Sequence, residues 1–173
     1  MKILITCPPM LKMIDSFKSI FKEANISITT PNVVQTLSVK ELIQLVPKHD
    51  GWIIGDDPAT REVFEAGKSG KLKAAVKWGI GVDNVDFEAC NEFNIPIINT
   101  PNMFGMEVAD IALGYVIALA RETFSVDRAI RNKEWIKPRG ISLSNKKVAL
   151  IGFGDIGRAT AARLLASNMK IIT

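Results

Sequence analysis

Val148-Ala149-Leu150-Ile151-Gly152-Phe153-Gly154-Asp155-Ile156-Gly157 is the stretch that decides the fold. Four apolar residues predict a buried strand, and G-x-G-x-x-G at its end predicts a tight turn into a helix. Residues 158–166, rich in Ala and Leu, supply the helix, and residues 169–172 supply a second strand. A β-α-β unit of this kind opens a Rossmann fold, in which each glycine answers a steric demand. Gly152 permits the turn, Gly154 admits a diphosphate to the backbone, and Gly157 lets helix approach strand. The unpaired N–H groups of the first helical turn, at the positive end of the helix dipole, then face the phosphates. Gly152, Phe153, Gly154, Asp155, Ile156 and Gly157 are therefore the expected dinucleotide contacts.

Upstream of this unit the first hundred residues alternate strand and helix over short connections, which predicts a parallel sheet covered on both faces. Strands are expected at 2–6, 26–29, 51–55, 74–77 and 96–99. The first helix carries Leu11, Ile14, Phe17, Ile20 and Phe21 as one apolar stripe. The second opens with a capping box, Ser38 to Glu41, and stops at Pro47. Two more are expected at 60–66 and 86–93, and a long one at 106–121. Asn99-Thr100-Pro101-Asn102 breaks the alternation. The fold class is thus α/β: a flavodoxin-like parallel-sheet domain over 1–100, followed by an incomplete Rossmann dinucleotide-binding domain over 101–173. About half of such a domain is expected within 101–173.

Composition narrows the function classes. With 173 residues, 47% hydrophobic and 23% charged, the chain reads as an ordinary globular protein. Its longest apolar segment, 111–120, falls short of the roughly 18 residues that span a bilayer. The N-terminus has too short an apolar stretch for a signal peptide, so a cytoplasmic location is expected. Cys7 and Cys90 lack metal-like spacing, so reduced structural thiols are expected and no metal site. The net charge of +4 comes from scattered basic residues, which argues against a nucleic-acid partner. His49, the only histidine, precedes a strand and so lies at the wrong end of it for a cleft.

A second glycine pair marks another site. Lys77 ends a parallel strand, and ligands in such sheets bind beyond the carboxyl ends of the strands. After it come Trp78-Gly79-Ile80-Gly81-Val82-Asp83-Asn84-Val85-Asp86. Gly79 and Gly81 lack side chains, so backbone N–H groups there can meet a small anion. Asp83 and Asn84 suit a turn, and Asp86 suits a helix N-cap.

With the 79–86 block, Asn99-Thr100-Pro101-Asn102 followed by Val108-Ala109-Asp110, and the 152–157 fingerprint, the chain resembles the D-isomer-specific 2-hydroxyacid dehydrogenase family, which includes phosphoglycerate dehydrogenase. The blocks fall in the family's order and cover essentially the whole sequence. The resemblance implies hydride transfer between NAD and a small 2-hydroxy or 2-keto acid, 3-phosphoglycerate being one candidate. It implies Gly79, Ile80 and Gly81 as contacts to the substrate carboxylate, with Ile80 also near the cofactor. Trp78 stands where the family often has a small residue; it either shapes the substrate pocket or joins the core. Asp110 replaces a more usual glutamate and reads as a dipole partner or packing hydrogen-bonder. The family's substrate arginine and its glutamate-histidine pair have no counterpart here and are expected beyond Thr173, as is the acidic residue that separates NAD from NADP. By the same resemblance the long helix helps to build a homodimer. The chain by itself is expected to be inactive, and a non-catalytic NAD-responsive binding or dimerisation module is the second reading.

Overall fold

The structure, a computed structural model, describes residues 1–173 and divides into two compact units, Met1–Pro101 and Asn102–Thr173. In the first unit β1 (Lys2–Ile5), β2 (Ser27–Thr29), β3 (Gly51–Ile54), β4 (Ala74–Lys77) and β5 (Ile97–Ile98) make one all-parallel sheet, ordered β2-β1-β3-β4-β5. This is the flavodoxin-like order, in which the chain winds outward from β1 and then returns past it.

Strand residues alternate between two cores, as the two-residue period of a strand requires. Leu4, Trp52, Ile54 and Ala75 join Leu42, Val63 and Phe64 on one face. Ile3, Ile5 and Ile53 join Met10, Phe17, Phe21 and Trp78 on the other. The expected first helix is instead broken into α1 (Pro8–Lys12), a 3₁₀ turn (Ile14–Phe17) and α2 (Lys18–Glu23). Leu11, Ile14 and Phe17 recur every three residues, a spacing that the tighter 3₁₀ turn keeps on one side. Ile20 drops out of the stripe and is 60% exposed.

The capping box forms at α3 (Val39–Leu45): Ser38 N donates to Glu41 Oε2 at 2.8 Å, and Glu41 N donates to Ser38 Oγ at 3.3 Å. α4 spans Arg61–Ser69, and α5 (Phe87–Glu92) is capped by Asp86, which accepts from Ala89 N at 2.8 Å.

His49 lies just before β3 and is 1% exposed. Its Nδ1 lies 2.8 Å from Leu45 O, which can only accept, so Nδ1 carries the proton. Nε2 then accepts from Thr29 Oγ1 at 2.8 Å. Burial pushes the imidazole below its ordinary value of 6.5. Between the folded and unfolded values the unfolded chain binds more protons, so stability falls as pH drops below about 6.5. Thermal melts between pH 7.5 and 5 should show this fall, and His49→Gln should flatten it. An unchanged slope in His49→Gln would contradict the assignment, since His49 is the only histidine.

The second unit contains α6 (Gly105–Arg121), α7 (Thr123–Arg131), β6 (Lys147–Ala149), α8 (Asp155–Ala166) and β7 (Lys170–Ile172). β6 and β7 pair in parallel, with Val148 opposite Ile171. The strand ends earlier than the apolar run suggested: Leu150 N makes a last bond to Ile172 O at 2.8 Å, and Ile151 is fully exposed. α6 packs on α8 through buried Ala109, Thr160, Ala161 and Leu164. Asp110 serves this packing, accepting from Arg163 Nε at 2.5 Å. No helix is long and apolar enough to cross a membrane.

Candidate functional site

In the second unit the three fingerprint glycines prove physically distinct. Gly152 sits at φ +90°, a conformation that side chains rarely adopt. A Cβ on Gly157 would lie 2.2 Å from Gly152 O, so only glycine lets α8 start this close to the turn. A Cβ on Gly154 would meet nothing within 4 Å, although its φ of −77° is open to any residue. Space above Gly154 is therefore left free where the fold does not require it.

Gly154 caps α8 without side-chain help, so the first amides of the helix, at Asp155, Ile156 and Gly157, point outward unpaired. The Asp155 carboxylate turns away from them. A Cβ on Gly105, the first residue of α6, would lie 2.5 Å from Asp155 Oδ2, so a side chain there would have to displace that carboxylate. That oxygen is buried and has no hydrogen-bond partner. Phe153 is exposed beside the turn.

In the first unit the 78–81 loop leaves the carboxyl end of β4. Loop 99–100 clamps it: Gly79 N donates to Thr100 Oγ1 at 3.0 Å, Thr100 N to Gly79 O at 3.1 Å, and Asn99 Nδ2 to Ile80 O at 3.1 Å. Gly79 sits at φ +141°. The Gly79 amide, expected to meet an anion, is thus already engaged, whereas those of Ile80 and Gly81 donate to no group of the protein. The loop borders a depression of about 330 Å³ lined by Asp56, Lys77, Trp78, Gly81, Asp83 and Asn84. Trp78 does both things the sequence left open. Its ring meets Phe17 edge-on at a centroid distance of 6.1 Å, and it also lines the depression. Asn84 bonds farther afield than a local turn, donating to Gly55 O at 3.2 Å and Asp57 O at 2.6 Å.

Sequence reasoning missed Asp57, and it placed Lys77 at the end of β4 without giving it a bonding role; both hold this edge of the sheet. Asp57 is fully buried and accepts from Thr6 Oγ1 at 2.5 Å, Leu37 N at 2.9 Å and Gly55 N at 3.2 Å. Thr6 in turn accepts from Trp52 Nε1 at 2.9 Å. Lys77 is 3% exposed, and its Nζ donates to Gly55 O at 2.6 Å and Asp56 Oδ1 at 3.0 Å. A lysine closing the apolar run of β4 was the available signal. Cys7 and Cys90 are buried free thiols; burial raises both, Cys90 to about 11, so neither is a ready nucleophile. No group of three or more His, Cys, Asp or Glu side chains is placed to hold a metal ion.

Residues 3–170 match the family described as D-isomer specific 2-hydroxyacid dehydrogenase, catalytic domain, and the chain belongs to that family of oxidoreductases. Hydroxypyruvate reductase of Thermotoga maritima is 36% identical over 79% of this chain and 45% of its own length. D-3-phosphoglycerate dehydrogenase of Methanocaldococcus jannaschii is 34% identical over 81% of this chain and 27% of its own. Among solved structures, an NAD-dependent formate dehydrogenase from Staphylococcus aureus in complex with NAD superposes with a TM-score of 0.83 at 25% identity, over 99% of this chain and 55% of that one. An NAD+-bound 3-phosphoglycerate dehydrogenase from Entamoeba histolytica gives 0.81 at 26%, over 99% and 52%. The chain thus spans about half the length of these structures and less than half of the curated relatives.

Proposed function

We propose that this chain supplies the diphosphate-binding turn and the substrate-carboxylate loop of an NAD-dependent dehydrogenase. The reaction is hydride exchange with a small 2-hydroxy acid or its 2-keto acid. The observation that carries this reading is the contrast within one motif: Gly157 is closed by the backbone, whereas Gly154 opens on unclaimed space above unpaired amides. Such a turn fits the diphosphate of a dinucleotide. The relatives solved with NAD support NAD as that dinucleotide.

The amides of Asp155, Ile156 and Gly157 would hold the diphosphate, with Phe153 beside it. Bound NAD would supply the hydride acceptor or donor. The free amides of Ile80 and Gly81 would hold the substrate carboxylate; Gly79 shapes that loop, and Trp78 walls it. His49 is committed to Leu45 and Thr29 before β3, whereas the glycine loop follows β4, at the other end of the parallel sheet. It therefore cannot move the substrate proton.

The assembly reading has one observation in its favour. Ile111, Tyr115 and Leu119 form an exposed apolar row at four-residue spacing on α6, which a second copy of the chain would cover.

Calorimetric titration of the chain with NAD+ tests the cofactor assignment. One-to-one binding is expected, with adenosine, which lacks the diphosphate, binding far more weakly. Folded protein that gives no heat with NAD+ would count against it.

A further inference from the structure

Charge around the glycine loop is unequally distributed. Lys77 is the one cation lining the depression, and Asp56 and Asp83 line it too. An adjoining depression of about 420 Å³ shares Asp56, Asp83 and Asn84 and adds Asp86. The Lys77 ammonium is neutralised where it stands, because Asp56 Oδ1 and Gly55 O already accept from it. A buried ammonium needs such partners. The Asp56 side chain is 81% exposed, so its second oxygen faces solvent at the rim. Asp83 is exposed as well. The nearby N-terminus of α5 is already occupied by the Asp86 carboxylate.

These features oppose a second anion. Phosphate sites are built from free Arg or Lys side chains or open helix N-termini, and the residues lining the first depression supply neither; the uncapped N-terminus of α4, at Thr60, borders only the adjoining one. Carboxylates accept hydrogen bonds without donating any, which suits substrate hydroxyls. We propose that the depression selects a hydroxy acid whose far end carries hydroxyl groups and no second negative charge. Asp56 and Asp83 are its specificity-determining residues: they accept from those hydroxyls and repel a phosphate. This rests on the reading of the Ile80 and Gly81 amides as the carboxylate anchor.

The test follows the amide NMR signals of Ile80 and Gly81 in the full 173-residue chain during three titrations. Glycolate probes the anchor alone, D-glycerate adds a hydroxyl, and D-3-phosphoglycerate adds a phosphate. All three should move the two signals, and D-glycerate should bind at least about tenfold tighter than D-3-phosphoglycerate. In the double variant Asp56→Asn/Asp83→Asn that preference should shrink at least about fivefold or reverse. An amide oxygen at position 56 still accepts from Lys77, but without the counter-charge the variant should melt below the parent, and a cooperative melt above the titration temperature shows that it is folded. D-3-phosphoglycerate binding the parent as tightly as D-glycerate, or an unchanged preference in the variant, would overturn the proposal. Silence of both signals toward glycolate would overturn it differently, by removing the anchor itself and with it the carboxylate-loop reading.

Discussion

Gly154→Val is expected to abolish dinucleotide binding while leaving the protein folded. The backbone at Gly154 is extended (φ −77°, ψ −153°), and an added Cβ meets nothing within 4 Å. Valine is a poorer N-cap, which costs up to about 1 kcal/mol. Its methyl groups fill the space through which a diphosphate reaches the first amides of α8. Losing two charge-assisted hydrogen bonds, each worth about 1.5–3 kcal/mol, weakens affinity by about 100-fold or more. Gly157→Ala should behave oppositely in its main effect. Its Cβ would collide with Gly152 O at 2.2 Å, so the turn must open, at a stability cost of about 1–3 kcal/mol. Calorimetry and thermal melts on both variants separate the two roles. Parent-like NAD+ affinity in Gly154→Val would show that the open space is not a binding site.

Asp57→Ala is expected to give the largest loss of stability. Removing the carboxylate leaves Leu37 N and Gly55 N without an acceptor, while Thr6 Oγ1 keeps only its longer bond to Ile53 O at 3.3 Å. Each buried donor so orphaned costs about 1–3 kcal/mol, and about 3–5 kcal/mol is expected in total. Against a typical stability of about 5–15 kcal/mol, that leaves a marginal fold. Asp83→Ala, at an exposed side chain on the same edge of the sheet, should stay within about 0.5 kcal/mol of the parent. Urea unfolding checks both values. A loss below about 1 kcal/mol in Asp57→Ala would mean that water replaces the three contacts.

The pairing of Asp56 and Asp57 shows where sequence reading stops. The two are chemically identical neighbours after β3, yet one is 81% exposed and the other fully buried. Which carboxylate turns inward depends on where residues 6 and 37 arrive, and that is tertiary information. The strand-helix alternation, by contrast, was legible, because short apolar runs and capping signals such as Ser38-Glu41 and Asp86 act locally. The first helix misled because 11, 14 and 17 satisfy an α-helical stripe and a 3₁₀ turn equally well. At the glycine loop the spacing showed that backbone is exposed, but it could not show that Thr100 had claimed the Gly79 amide. In the fingerprint the motif named all three glycines alike. Only the built backbone separates the one that is sterically obliged from the one that leaves room.

The proposed role of the unpaired amides opening α8 is to receive the diphosphate of NAD. Its most direct test is the ¹⁵N–¹H spectrum of the chain during an NAD+ titration. Saturable shifts concentrated at Asp155, Ile156 and Gly157, with the signals around His49 unmoved, are the predicted result. Saturation at other residues while these three stay still would contradict it.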